Sequence, residues 1–137
     1  MRAVLWTALA LLTAAAVTGC GSNDSHQVHA KVEQFVRAVA ARDATTVCRQ
    51  VLAPSLTNRF AIEGLSCEQG MKIFMASVQD PTLTVGRVSV KQNQALAQVL
   101  TGAHCQRLAL AQLHLVKTKA GWRIDSEGNV PASKPTC

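Results

Sequence analysis

The chain has 137 residues, 48% of them hydrophobic, with 14 Lys and Arg against 8 Asp and Glu, a net charge of +6. That is enough chain for one domain with a single core. The basic residues are scattered, among them Lys31, Arg37, Arg42, Arg49, Arg59, Lys72, Arg87, Lys91 and Arg107. No basic run tracks a groove, so nucleic acid is not expected as a partner.

The chain opens with Arg2 and an apolar run from Ala3 to Val17, ending in Val17-Thr18-Gly19-Cys20. A basic start, a short apolar core and small residues before a cut site make an export signal. The run is about 15 residues, short of the roughly 20 a membrane-spanning helix needs. Val17-Thr18-Gly19-Cys20 resembles the lipobox of bacterial lipoproteins. The resemblance implies that residues 1–19 are a cleaved signal peptide and that Cys20 carries a diacylglyceryl group and is usually N-acylated (palmitate-type lipidation). It implies a cell-membrane location on the extracytoplasmic face, with the membrane as a partner through that lipid. Loss of Arg2 with the signal leaves a net charge of +5 on the remaining 118 residues.

Residues 20–26 continue with Gly21-Ser22-Asn23-Asp24-Ser25-His26, small and polar, and are expected to be a flexible tether. His26 and His29, in or beside it, read as solvated spacers rather than metal ligands. Residues 27–137 are expected to form one domain. Val28, Val32, Phe35, Val36, Val39 and Ala40 recur at helical spacing and predict an amphipathic helix from Gln27 to about Arg42. Asp43 is placed to cap a second helix, Ala44–Leu52, whose inner face is Val47, Cys48, Val51 and Leu52, with Pro54 as its stop. Ser55 to Leu65 reads as a connector. Ser66 with Gln69 fits a capping box for a third helix burying Cys67, Met71, Phe74, Met75 and Val78. Gly70 weakens that helix slightly.

The period then changes. Thr82–Lys91 alternates, with Leu83 and Val85 read on one side and Val88 and Val90 on the other. Gln94–Thr101 sets Gln and Leu against Ala95, Ala97 and Val99. Arg107–Lys119 is apolar on both faces and is expected to be central, and Trp122–Asp125 closes a hairpin across Lys119-Ala120-Gly121. Short connections make the four strands antiparallel neighbours. The tail from Ser126 to Cys137, with Pro131 and Pro135, is expected to be irregular. The expected fold class is α+β: three N-terminal helices packed on a curved four-stranded antiparallel sheet.

Val32-Glu33-Gln34-Phe35-Val36-Arg37-Ala38-Val39, Asp43-Ala44 with Cys48 behind it, and Leu113-His114-Leu115-Val116-Lys117 with Gly121-Trp122-Arg123-Ile124 resemble the NTF2-like (SnoaL-like) cone-shaped domains, and within them small exported lipoproteins of the actinobacterial type. The resemblance covers Gln27–Asp125 and implies a cone that often holds a pocket between sheet and helices. Relatives in that family include isomerases, dehydratases, cyclases and proteins with no activity, so the fold does not assign a function.

With Cys20 lipidated, Cys48, Cys67, Cys105 and Cys137 remain, an even number that argues for two disulfides in an exported chain. No Cys-x-x-Cys pair exists, so no zinc site, metal or other cofactor is expected. Three pairings are open. Cys48 and Cys67 lie on inner faces of consecutive helices, and Cys137 could fasten the tail to Cys105, so Cys48–Cys67 and Cys105–Cys137 are the expected bridges.

For chemistry, Asp43 has a capping role, Asp125 ends a strand and His104 is in a loop. His114, sharing a strand face with Leu108, Leu110, Gln112 and Val116, is the one residue that could act in a cone pocket, with Gln112 beside it. No carboxylate partner is evident, and no Gly-x-Ser-x-Gly, His-Glu-x-x-His or phosphate loop occurs. No residue is assigned a catalytic role. The expected function is a membrane-anchored, non-catalytic module binding a protein, peptide or lipid-like ligand. The alternative is a small isomerase-, dehydratase- or hydrolase-like enzyme using His114.

Overall fold

The structure, a computed structural model, describes residues 20–128 and Cys137. The proposed signal peptide, residues 1–19, and most of the C-terminal tail, residues 129–136, lie outside the described residues. Four helical stretches precede four strands: α1 (Cys20–Ala40), α2 (Ala44–Thr46) running on into a π-helical segment (Val47–Val51), α3 (Pro54–Ile62), α4 (Cys67–Ser77), then β1 (Thr82–Lys91), β2 (Gln94–Gly102), β3 (Ala109–Thr118) and β4 (Gly121–Glu127). The sheet is antiparallel in the order β1-β2-β3-β4, so the architecture is the expected α+β one. Among the described residues no helix is long and apolar enough to cross a membrane.

α1 starts earlier than its apolar spacing. Residues 20–26, expected as the lipidated cysteine and a flexible tether, are part of the helix. The reason is tertiary. The Asp24 carboxylate accepts hydrogen bonds from Lys117 Nζ (2.6 Å) and from the Trp122 indole N–H (3.3 Å). Lys117 Nζ also stands 5.7 Å from the Trp122 ring centroid. Val28 and Val32, one and two turns on from Asp24, are fully buried. The helix ends in a Schellman motif: the Asp43 N–H bonds the Ala38 carbonyl (2.8 Å) and the Arg42 N–H the Val39 carbonyl (3.0 Å). Arg42 takes the left-handed conformation (φ 56°) usually left to glycine, and its guanidinium donates to the Met75 carbonyl of α4.

Asp43 then caps α2 by accepting from the Thr46 N–H (2.9 Å), and hydrogen bonding from the Thr46 side chain, then from its backbone, holds the carboxyl below the usual range. The second helix is therefore real but changes character. From Val47 it widens to a π turn, closed by the Leu52 N–H on the Val47 carbonyl (2.9 Å). Pro54 both stops that turn and opens α3, where it occupies the first turn and no N–H is missed. The expected connector is thus a third α-helix. It is stitched to β4 by the Ala53 N–H on the Ile124 carbonyl (2.8 Å) and by the Ser55 hydroxyl donating to Asp125. The Ser66/Gln69 capping box of α4 is formed in both directions. Met71 and Met75 are buried, whereas Phe74, on the flank of the stripe, is 44% exposed.

In β1 a bulge between Val85 and Val88 inserts a residue, since Val85 pairs with Val99 and Val88 with Ala97. Alternation is reset across Gly86-Arg87. Leu83, Val85, Val88 and Val90 therefore all pack against the core, instead of splitting between two faces. A second irregularity lies where His114 pairs Ser126 and Leu115 pairs Ile124, leaving Asp125 between. α1, α3 and the π-helical segment pack against the sheet that carries these two bulges. Both bridges are present: Cys48–Cys67 with Cα atoms 5.9 Å apart and Cys105–Cys137 with Cα atoms 5.0 Å apart. The first ties the π-helical segment to the start of α4.

Candidate functional site

Two regions can be compared as sites: the inside of the cone and the outer face of the sheet. The inside is filled. Trp122, Met75, Leu115, Val28, Val32, Val47, Val51 and Val99 are its largest fully buried side chains, and Met71, Leu113 and Ile124 complete the packing. Among the described residues no polar or charged side chain is buried. An interior of this kind provides dispersion and dryness, and the indole N–H of Trp122 is directed to Asp24.

β3 decides where His114 goes. Ala111, Leu113 and Leu115 are buried, so the intervening Gln112 and His114 point to the other side, and both are exposed. His114 pairs across the sheet with Leu96 on β2 and Ser126 on β4. Among the described residues it makes no ion pair with a carboxylate. Gln112 stands opposite Gln98, and Leu110 opposite Leu100. Gln98, Leu110, Ala111, Gln112 and Gly128 line a shallow open hollow of about 420 Å³. Gly128 is held there by its N–H on the Gln112 carbonyl (2.7 Å), and a Cβ at Gly128 would stand 3.3 Å from that oxygen. Leu110, at its edge, is 75% exposed, and Leu108, two residues earlier, is 65% exposed. A second open hollow, about 470 Å³, lies between the end of α1 and the start of β1, lined by Val39, Arg42, Val78, Asp80, Pro81 and Thr82 among others.

The remaining candidates separate. Asp125 is bonded to Ser55 and Asp43 to Thr46, so both carboxylates are structural. His29 lies 3.5 Å from Glu33 one turn on in α1. His104 is exposed in the β2–β3 connection, with its backbone N–H on the Gln79 carbonyl (2.8 Å). The donor atoms of His104, Cys105 and Cys137 lie within 4.8 Å of one another, with the two sulfurs joined in the bridge.

Sequence reasoning passed over a polar seam between α1, the π-helical segment and β4. Lys31 donates to Gln34 (2.7 Å) and to the Gln50 carbonyl (2.9 Å), and Gln34 donates to the Gln50 side chain (2.9 Å). Arg123 donates to the Arg49 carbonyl (2.7 Å). Partial burial, and secondarily the charge of Arg123, lowers the Lys31 ammonium from its ordinary range. Each of these polar groups has a neighbour in the seam, so it acts as a joint between elements. The Asp24–Lys117–Trp122 contact was also missed, although Asp24, Val28 and Val32 share one i, i+4, i+8 row that carries the helix back toward Cys20.

No family model matches the chain, and no curated protein matches it. Solved structures do. A candidate dehydratase of the NTF2-like family from Streptomyces avermitilis superposes with a TM-score of 0.58 at 18% identity, over 77% of this chain and 94% of that one. An NTF2-like protein of unknown function from Silicibacter pomeroyi gives 0.55 at 17% identity, over 77% and 93%. Another from Shewanella baltica gives 0.54 at 10% identity, over 80% and 97%. At these identities the likeness is one of backbone architecture: the chain has the NTF2-like fold.

Proposed function

We propose that this chain is an exported lipoprotein, anchored through a lipid on Cys20 to the extracytoplasmic face of the cell membrane. Its domain acts as a non-catalytic module that binds a protein, peptide or lipid-like partner. The observation that carries the second part is the filled interior of the cone, in which no polar or charged residue is buried among the described residues. A catalytic cone needs a cavity and at least one polar group aimed into it. His114 lies on the opposite face of β3 from Leu113 and Leu115, which favours binding over the alternative in which it serves as a base inside the cone. The outer face, with its shallow hollow and exposed Leu110, is the surface where such a partner has apolar contact to gain. The anchoring part rests on the lipobox-like Val17–Cys20.

Crystals pressurised with xenon test the filled interior. The gas is expected to find no site bounded by Trp122, Met75 and Leu113. A xenon site there, or a substrate whose conversion is lost in a folded His114→Ala variant, would overturn the non-catalytic reading. Metabolic labelling with a fatty-acid analogue tests the anchor: the wild type takes the label and Cys20→Ala does not. Equal labelling of both would remove the lipid.

A further inference from the structure

The two bridges sit in different surroundings. Cys48 and Cys67 pack against the hydrophobic core. Cys137 is exposed, Cys105 is half-buried in the β2–β3 connection, and exposed His104 precedes it. That connection is held by two backbone hydrogen bonds, the His104 N–H on the Gln79 carbonyl (2.8 Å) and the Gln106 N–H on the Ala103 carbonyl (3.0 Å), and Cys105 between them takes the left-handed conformation (φ 61°). A pinned turn therefore presents two potential ligands side by side, and Cys137 supplies a third.

We propose that His104, Cys105 and Cys137 form a binding site for cuprous copper that reduction of their disulfide opens. The three donor atoms lie within 4.8 Å of one another. Sulfurs bind a thiophilic ion at about 2.3 Å, so two that share one ion stand at most about 4.6 Å apart. The hydrogen-bonded turn places the imidazole beside the bridged sulfurs; binding one ion then asks His104 to close by a few tenths of an ångström or more and Cys137, joined to the turn through the bridge, to part from Cys105 by a side-chain movement. Two thiolates with an imidazole are a soft donor set, suited to Cu(I) or zinc. Three donors complete the trigonal shell of Cu(I). Among the described residues the cluster has no fourth His, Cys, Asp or Glu, so zinc would have to take water.

The step balances with a dithiol as reductant. The dithiol gives two electrons and two protons to the bridge and becomes a disulfide, and Cys105 and Cys137 become thiols. Cu(I) then displaces the two thiol protons and binds two thiolates and neutral His104. The reductant that opens the bridge is also what keeps copper cuprous, so site and ion arise under one condition. In oxidising surroundings the sulfurs return to the bridge and the site is lost.

The test is an anaerobic titration of the dithiothreitol-reduced full chain with Cu(I) in competition with a chromophoric Cu(I) chelator. The comparison is a Cys105→Ser, Cys137→Ser chain, which keeps every other cysteine. The reduced wild type is expected to hold one Cu(I) more per chain than this variant, and the oxidised wild type none in excess. His104→Ala, which leaves both cysteines and is checked for folding by circular dichroism, is expected to weaken that ion by about tenfold or more. Equal uptake by the serine variant would overturn the site, and so would an affinity indifferent to His104→Ala.

Discussion

At Gly70 the sequence invites a wrong substitution. A glycine inside a helix costs about 1 kcal/mol relative to alanine, which suggests that Gly70→Ala should stabilise α4. The fold reverses that expectation, because a Cβ at Gly70 would enter the ring of Phe60 on α3. Overpacking costs about 1–3 kcal/mol, so the variant is expected to lose on the order of 1 kcal/mol net in urea unfolding. A stabilised Gly70→Ala would mean that Phe60 swings aside at little cost. Asp24 makes a prediction of a different kind. The hydrogen bond from Lys117 holds its carboxyl below the ordinary carboxylate value. A carboxyl depressed by folding adds stability that is complete above its unfolded value, about 3.9, and is lost as pH falls through the lower folded one. The melting-temperature gap between wild type and Asp24→Asn should therefore be widest near neutrality and close in strong acid. A gap that does not change with pH would assign the effect to packing instead of charge.

Elements whose cause is local could be read from the chain, and those held by distant contacts could not. The apolar row of α1 from Val28, the Asp43 cap, the Ser66/Gln69 box and the alternation of β2 each follow from residues within a turn or a strand of one another. The first turns of α1 have no apolar row of their own beyond the one that starts at Val28. Their anchors, Lys117 and Trp122, lie 93 and 98 residues away from Asp24. α3 offers few periodic apolar positions, Ile62 being 82% exposed, and depends on contacts to Ile124 and Asp125. The β1 bulge makes Val85 and Val88 seem to face opposite ways, because counting by twos fails across an inserted residue. His114 shows the same limit at the candidate site. Its own strand is apolar on both faces, so the pattern of β3 alone does not say which face meets the helices. Ala95, Ala97 and Val99 on β2 decide it by burying the side that carries Leu113 and Leu115. Among the bridges, Cys48–Cys67 closes a separation of 19 residues. The paired Cys48→Ala, Cys67→Ala variant is expected to lose about 3 kcal/mol in denaturant unfolding, mostly through a less constrained unfolded chain. A loss under about 1 kcal/mol would mean that the π-helical segment and α4 hold together through packing alone.

Over the whole molecule, the start of α1 sets how the domain would sit on a membrane. With a flexible tether between a lipid on Cys20 and the fold, the domain would tumble freely above the surface, and a protease would cut it loose quickly. The structure instead runs helix from Cys20 into the buried Val28, with Asp24 fastened to β3 and β4. On the proposed anchoring, the lipid would be joined directly to a helix docked on the sheet, leaving little slack and few exposed backbone groups for a protease. Limiting proteinase K on membranes bearing the wild type should therefore release the domain slowly. Asp24→Ala removes the acceptor for both Lys117 and Trp122 and lets the first turns fray, so release should accelerate several-fold while the domain's own melting transition stays cooperative. N-terminal sequencing should place the new cuts between residues 21 and 27. Equally fast release of wild type and variant, with cuts in that same segment, would restore the tether and separate the anchor from the fold.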